Sequence, residues 1–212
     1  MLWDHQFLSS QINDTDFYKK CASSLVAGKR YEDIKTLISA LEDEEEENLC
    51  LVISCILFEV AQIEPSLLEK EVDSFIKVCL REKKVLHNNS LKILIVLAPS
   101  QHKIIFKKLD IISDVFFDGS DDVKDAFITL LIRLAKISPD YYDETCGALK
   151  VILEYYPAEA LVKNAEKMLP IIDKTNFECF QNILVNRKKE LNSSDQKQVE
   201  NLLSQILGKI TL

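Results

Sequence analysis

Ile53-Ser54-Cys55-Ile56-Leu57-Phe58-Glu59-Val60-Ala61 and Phe127-Ile128-Thr129-Leu130-Leu131-Ile132-Arg133-Leu134-Ala135 superpose when one is shifted by 74 positions along the chain. A third copy, Ser90-Leu91-Lys92-Ile93-Leu94-Ile95-Val96-Leu97-Ala98, lies midway, so the period is 37. The shift aligns Ala61, Ala98 and Ala135, then Leu57, Leu94 and Leu131, then Val60, Leu97 and Leu134. A fixed period of this length marks a repeat architecture, in which one supersecondary unit recurs.

The register extends into the neighbouring segments. Leu68, Ile105 and Tyr142 align, as do Val72, Leu109 and Cys146, Phe75, Ile112 and Leu149, and Cys79, Phe116 and Leu153. Within each copy these positions fall at i, i+4, i+7 and i+11, one face of an α-helix. Each unit therefore reads as two amphipathic helices joined by short turns. Pro65 and Pro139 follow one of the helices at equivalent places, where proline stops a helix. Asp118-Gly119-Ser120-Asp121-Asp122 supplies a helix stop and an N-cap. Towards the ends the pattern weakens but stays helical: Phe17, Cys21, Leu25 and Ile34, Leu37, Ile38, Leu41 on one side. On the other stand Leu161, Val162, Ala165, Leu169, then Phe177, Phe180, Ile183, Leu184, then a last helix after Ser193-Ser194-Asp195. Terminal units of repeat arrays are expected to depart from the pattern. No linker rich in Gly, Pro or Ser divides residues 1–212, so a single domain is expected.

Composition agrees. The 212 residues include only 4 Gly and 5 Pro, against roughly 15 and 10 at average usage. Sheet-rich folds need turn residues at short intervals, and nucleotide-binding folds need glycine-rich phosphate loops; both are disfavoured. A hydrophobic share of 47% is too high for a disordered chain. A net charge of −8, with a pI near 5.0, argues against a dedicated nucleic-acid binder, which carries a basic face.

No run of 18 uncharged apolar residues occurs; residues 49–61 come nearest and contain Glu59. Met1-Leu2-Trp3-Asp4-His5 carries no secretory pattern, so the sequence-based expectation is a cytoplasmic protein without a membrane span. The six cysteines form no C-x-x-C pair and have no histidine at zinc-ligand spacing, which predicts reduced thiols and no metal or other cofactor.

Residues 104–139 resemble a HEAT repeat, the two-helix unit of the armadillo and HEAT class. The resemblance rests on Leu109, Ile112 and Phe116 of a first helix and the turn aspartates Asp118, Asp121 and Asp122. Val123-Lys124, Ala126, Leu130, Leu131, Leu134 and Ala135 of a second helix complete it. Residues 67–98 and those from Tyr141 onward are similar but poorer, with Asn88 and Asn89 in place of the turn aspartates and the Val-Lys start. The resemblance implies an all-α, right-handed α-solenoid of about five to six stacked antiparallel helix pairs, clearest over residues 49–154, whose second helices line a concave surface. It also implies a scaffold for protein partners; a minority of the class handle DNA.

At 100° per residue, Val123, Ala126, Phe127, Leu130 and Leu134 share one face of the second helix, while Asp125, Thr129, Ile132 and Lys136 lie opposite. The period carries this outer ridge to Asn88, Lys92 and Ile95, and to Leu51, Cys55, Phe58 and Gln62. Phe58, Ile95 and Ile132 would form an apolar ladder flanked by Lys92 and Lys136, with Asp125 beside it. Two readings stand together: the ladder contacts a partner segment while the lysines engage its acidic groups, or it packs between neighbouring second helices.

The run Glu42-Asp43-Glu44-Glu45-Glu46-Glu47 reads as favourable charge at a helix N-terminus. Arg81-Glu82-Lys83-Lys84 and Arg187-Lys188-Lys189 read as helix-end charge. His5, His87 and His102 are scattered, His87 at the start of a helix and His102 in a turn, and no catalytic motif occurs. The expected function is a non-enzymatic interaction scaffold or adaptor with a protein partner. The alternatives are a nucleic-acid-binding protein of the base-excision type, or a structural subunit of a larger complex, including a homo-oligomer.

Overall fold

The computed structural model describes residues 5–210; Met1 to Asp4 and the His5 side chain, read above for a leader segment and a scattered histidine, lie outside the described residues. The described residues are all-α and include no strand. The chain divides into two compact units, Met1–Leu130 and Leu131–Leu212.

The first unit holds α1 (His5–Ser9), α2 (Thr15–Ala27), α3 (Tyr31–Asp43), α4 (Glu47–Ile63), α5 (Val72–Cys79), α6 (Lys84–Lys107), α7 (Leu109–Asp118) and most of α8 (Asp121–Ile137). Short 3-10 turns, Pro65–Leu67 and Glu69–Glu71, join α4 to α5. Successive helices pair, α3 with α4 and α5 with α6, and alternate helices also meet: α2 with α4, α4 with α6, α3 with α5 and α5 with α7. The second unit holds the end of α8, α9 (Pro139–Tyr155), α10 (Ala158–Met168), α11 (Phe177–Lys188) and α12 (Ser193–Ile210). There α9 meets α10 and α11, and α12 meets α10 and α11.

The residues placed in register by the period are core residues. Ala61, Leu57, Val60, Leu94, Leu97, Ala98, Leu131, Leu134 and Ala135 are buried, and so are Leu68, Val72, Phe75, Cys79, Ile105, Leu109, Ile112, Phe116, Cys146, Leu149 and Leu153. Only Tyr142 of that set is half-buried. Burial of these stripes is what stabilises helices of this length. All six cysteines are free, and burial pushes the Cys79 thiol up to about 12.

Four local expectations are revised. The second helix of the middle copy does not end in a turn after Ala98. Instead a first helical segment runs through Pro99 to a break at Gln101 (φ −116, ψ 16), and a second segment follows directly to Lys107, the two being numbered together as α6. Proline lacks the N–H for a helical bond and its ring crowds the carbonyl four residues back, which kinks or breaks a helix near it. His102 therefore lies directly after this break, at the start of the second segment. Asn88 and Asn89 also lie inside α6, since the turn falls earlier, before Lys84. The cap of α12 is Asn192, whose Oδ1 accepts from the N–H groups of Ser194 (2.9 Å) and Asp195 (3.0 Å). The acidic run ends α3 and crosses to α4, with only Glu47 in the first turn of α4.

Gly119 stops α7 in extended backbone (φ −75, ψ 154), not in the left-handed region. Glycine is needed there for close approach: a Cβ would stand 2.6 Å from the Val115 carbonyl oxygen and 2.6 Å from Val123 Cγ1. Gly147, inside α9, is the opposite case, because a Cβ there would meet nothing within 4 Å. Gly147→Ala is expected to raise the stability of the second unit by about 0.5–1 kcal/mol through lower unfolded-state entropy and better helix propensity. A urea titration followed by circular dichroism measures it, and a loss of stability would show that α9 is covered at this point.

The basic groups close helix ends. Arg81 donates from Nη1 to the Leu41 carbonyl and from Nη2 to the Glu44 carbonyl (3.3 Å), where Lys83 Nζ also donates (2.5 Å). These are the last carbonyls of α3, which have no partners within their own helix. Lys84 Nζ does the same for Asp118 at the end of α7 (3.2 Å). In the second unit, Arg187 Nη1 donates to Leu153 (2.8 Å) and Tyr156 (2.6 Å) at the end of α9. Lys209 Nζ donates to Leu169 (2.9 Å) and Ile172 (3.0 Å) after α10. Each cation also opposes the negative end of the helix dipole it caps.

Candidate functional site

On α4, Leu51, Cys55 and Phe58 stand at i, i+4 and i+7; on α6, Asn88, Lys92 and Ile95 repeat the spacing. All six are half-buried, while the residues between them, such as Val52, Ile56, Leu91 and Leu94, are fully buried. Packing of α4 on α6 brings two of the predicted residues together, with Lys92 Nζ 5.8 Å from the centre of the Phe58 ring. An ammonium at this distance is held by the ring quadrupole by about 0.5–1 kcal/mol at an exposed site. The face is therefore partly packed against itself and partly open to solvent.

Beneath it a polar lock sets the rotation of the two helices. Asn89 is buried, and its Nδ2 donates to Ser54 Oγ (2.9 Å) and Cys55 Sγ (3.2 Å). Burial pushes the Cys55 thiol up, against the opposing pull of the Asn89 hydrogen bond and the Lys92 charge. The sequence signal for this lock is an asparagine in a core register of α6 with a serine 35 residues earlier on α4. Read alone, that asparagine looks like a degenerate turn residue.

The other predicted residues are placed separately. Asp125 is half-buried on α8 of the first unit, and its carbonyl accepts from Thr129 Oγ1 (2.8 Å). Ile132 (half-buried) and Lys136 (exposed) belong to the second unit.

In that unit Lys136 lines a cleft formed with Tyr142 and the turn following α10. Tyr142 is the one period-aligned core position that carries a hydroxyl, and that hydroxyl organises the turn. It lies 2.7 Å from the Ile171 carbonyl and 2.7 Å from Asp173 Oδ2, and it accepts from Asn176 Nδ2 at 2.7 Å. Asn176, itself buried, also donates to Ile171 (3.1 Å), and its Oδ1 accepts from the Asp173 N–H (3.0 Å). Burial, with the Asp173 hydrogen bond and charge, pushes the Tyr142 phenol well above its usual value. Partial burial of Asp173 works the other way from its hydrogen bonds, and those from Thr175, Tyr142 and the backbone prevail, holding its carboxyl below the usual range.

Among the described residues no group of three or more His, Cys, Asp or Glu side chains is arranged to hold a metal ion, and no helix is long and apolar enough to cross a membrane. His87 is buried, with Nε2 2.7 Å from the Arg81 carbonyl, so it is tied to the α5–α6 turn. No family model matches the chain, and no curated protein or solved structure matches it either.

Proposed function

We propose that the chain is a HEAT-like helical-repeat scaffold that binds a protein segment on the α4–α6 face of its first unit. The observation that carries this reading is the Phe58–Lys92 pair, an aromatic ring and a cation in contact yet both half exposed. An aromatic anchor beside a cation suits a partner segment that carries an apolar side chain next to an acidic one. The alternation of helix contacts, neighbour with neighbour and every second helix with its equivalent, supports the repeat reading. Ile95 extends the apolar strip by one helical turn from Lys92. The reading makes the protein an adaptor without chemistry of its own.

The test is affinity purification from native cells with wild-type and Lys92→Glu chains, with the contact located by cross-linking. Reversing one partly desolvated charge is expected to lower partner affinity about tenfold or more. Equal recovery by both chains, with cross-links that avoid α4 and α6, overturns the reading.

A further inference from the structure

The cleft of the second unit lies among the end of α8, the first turn of α9, the turn over residues 170–175 and the last turn of α12. Three lysines from three elements line it: Lys136 on α8, Lys174 in the turn and Lys209 on α12. Lys136 and Lys174 form no ion pair among the described residues. The Lys209 ammonium has two carbonyl acceptors, Leu169 and Ile172, so one of its three N–H groups remains.

Among the described residues Asp173 is the one carboxylate in the lining, and it is engaged within the protein. Its Oδ1 accepts from the Thr175 N–H (2.7 Å) and the Thr175 hydroxyl (2.6 Å), and its Oδ2 lies 2.7 Å from the Tyr142 hydroxyl. Three lysines thus line the cleft together with one internally bonded carboxylate among the described residues. The turn that carries two of these charges is braced by Tyr142 and Asn176, so the wall is set before any ligand arrives.

The donor chemistry selects the ligand. Lysine presents a compact charge with rotatable N–H groups, and three arriving from separate elements suit an anion with several oxygens pointing in different directions. A planar carboxylate is better met by the arginine fork, and no arginine lines the cleft. Ala135, Ile171, Ile172 and Ile210 supply apolar walls that limit the screening of these charges. We propose that this cleft binds a phosphate group, free or as a phosphomonoester, through Lys136, Lys174 and Lys209. The site is separate from the α4–α6 face and stands or falls independently of it.

The test is a 1H–15N NMR titration of the full chain with inorganic phosphate, phosphoserine and acetate. Saturable shifts are expected at the amides of Lys136, Tyr142, Lys174 and Lys209 with both phosphate compounds. Tighter binding of phosphoserine assigns a phosphomonoester, and tighter binding of inorganic phosphate assigns the free ion. Lys136→Glu and Lys174→Glu are each expected to weaken binding about tenfold or more. Lys150→Glu, on α9 outside the cleft, is expected to bind like wild type. Both cleft lysines are exposed, so their variants should retain dispersed spectra, and Lys136→Gln provides a milder neutralisation. Absence of saturable shifts, equal binding of acetate, or unchanged binding in the two cleft variants overturns the proposal.

Discussion

Phe75→Ala is expected to destabilise the first unit by about 3–5 kcal/mol, the range for deleting a buried aromatic ring and leaving its cavity. Phe75 is fully buried on α5, which packs on α3, α6 and α7, so few neighbours are free to collapse into the space. Whole domains are stable by only about 5–15 kcal/mol, so this loss is a large part of the total. Phe58→Ala, at a half-buried position, is expected to cost about 1–2 kcal/mol, and its larger effect should fall on partner binding. Hydrogen exchange of the α5 and α6 amides, read by mass spectrometry, reports the first unit without requiring the whole chain to unfold in one step. A Phe75→Ala loss below that of Phe58→Ala would contradict the placement of Phe75 in the core and Phe58 at its edge.

Arg187→Ala is expected to cost the second unit about 2–4 kcal/mol, from two charge-assisted hydrogen bonds and a favourable helix-dipole contact. The side chain is only 12% exposed, and its Nη1 reaches two carbonyls at the end of α9 while Nε and Nη2 hold Glu190 Oε2 at 3.0 and 2.8 Å. Truncation leaves the Leu153 and Tyr156 carbonyls without these donors, at a helix end whose Tyr156 is buried. Arg187→Lys keeps the charge but not the fork, and should recover less than half of the loss. Glu190→Ala, which removes only the partly exposed carboxylate, should cost under about 1 kcal/mol. Urea titrations of the three variants separate these outcomes. A loss for Arg187→Ala no larger than that for Glu190→Ala would reduce the arginine to an ordinary surface ion pair.

Much of the architecture was legible without coordinates. The positions at i, i+4, i+7 and i+11 that recur every 37 residues are buried, all but Tyr142, because a helix in water is held by the apolar stripe it hides. The scarcity of glycine and proline follows from the same plan: helices joined by short turns need few residues with special backbone freedom. Where local rules competed with packing, the reading failed. His102 was compatible with a turn, and only the backbone at Gln101 shows a break between two directly abutting helical segments. Asn89 was compatible with a turn, and only the position of α4 decides that it is a buried donor.

The candidate sites divide along the same line. Periodicity puts Phe58, Lys92 and Ile95 opposite the core stripes of their helices, and in the structure all three are half-buried. Whether a ridge residue meets the next helix depends on how far each helix is rotated about its axis. A few tens of degrees separate contact from exposure, and side-chain packing at Asn89 and Ser54 sets that angle. The cleft was not legible at all, since its residues come from positions 135–142, 170–175 and 209–210, with no common spacing.

Alone, then, the sequence determined an all-helical chain and the identity of its buried stripes, because both follow from local periodicity and the hydrophobic effect. Tertiary structure decided which cations cap which helix ends, that Lys92 lies over Phe58, and that Lys136, Lys174 and Lys209 share one cleft. Those are relations between distant residues, fixed by the packing of one helix on another.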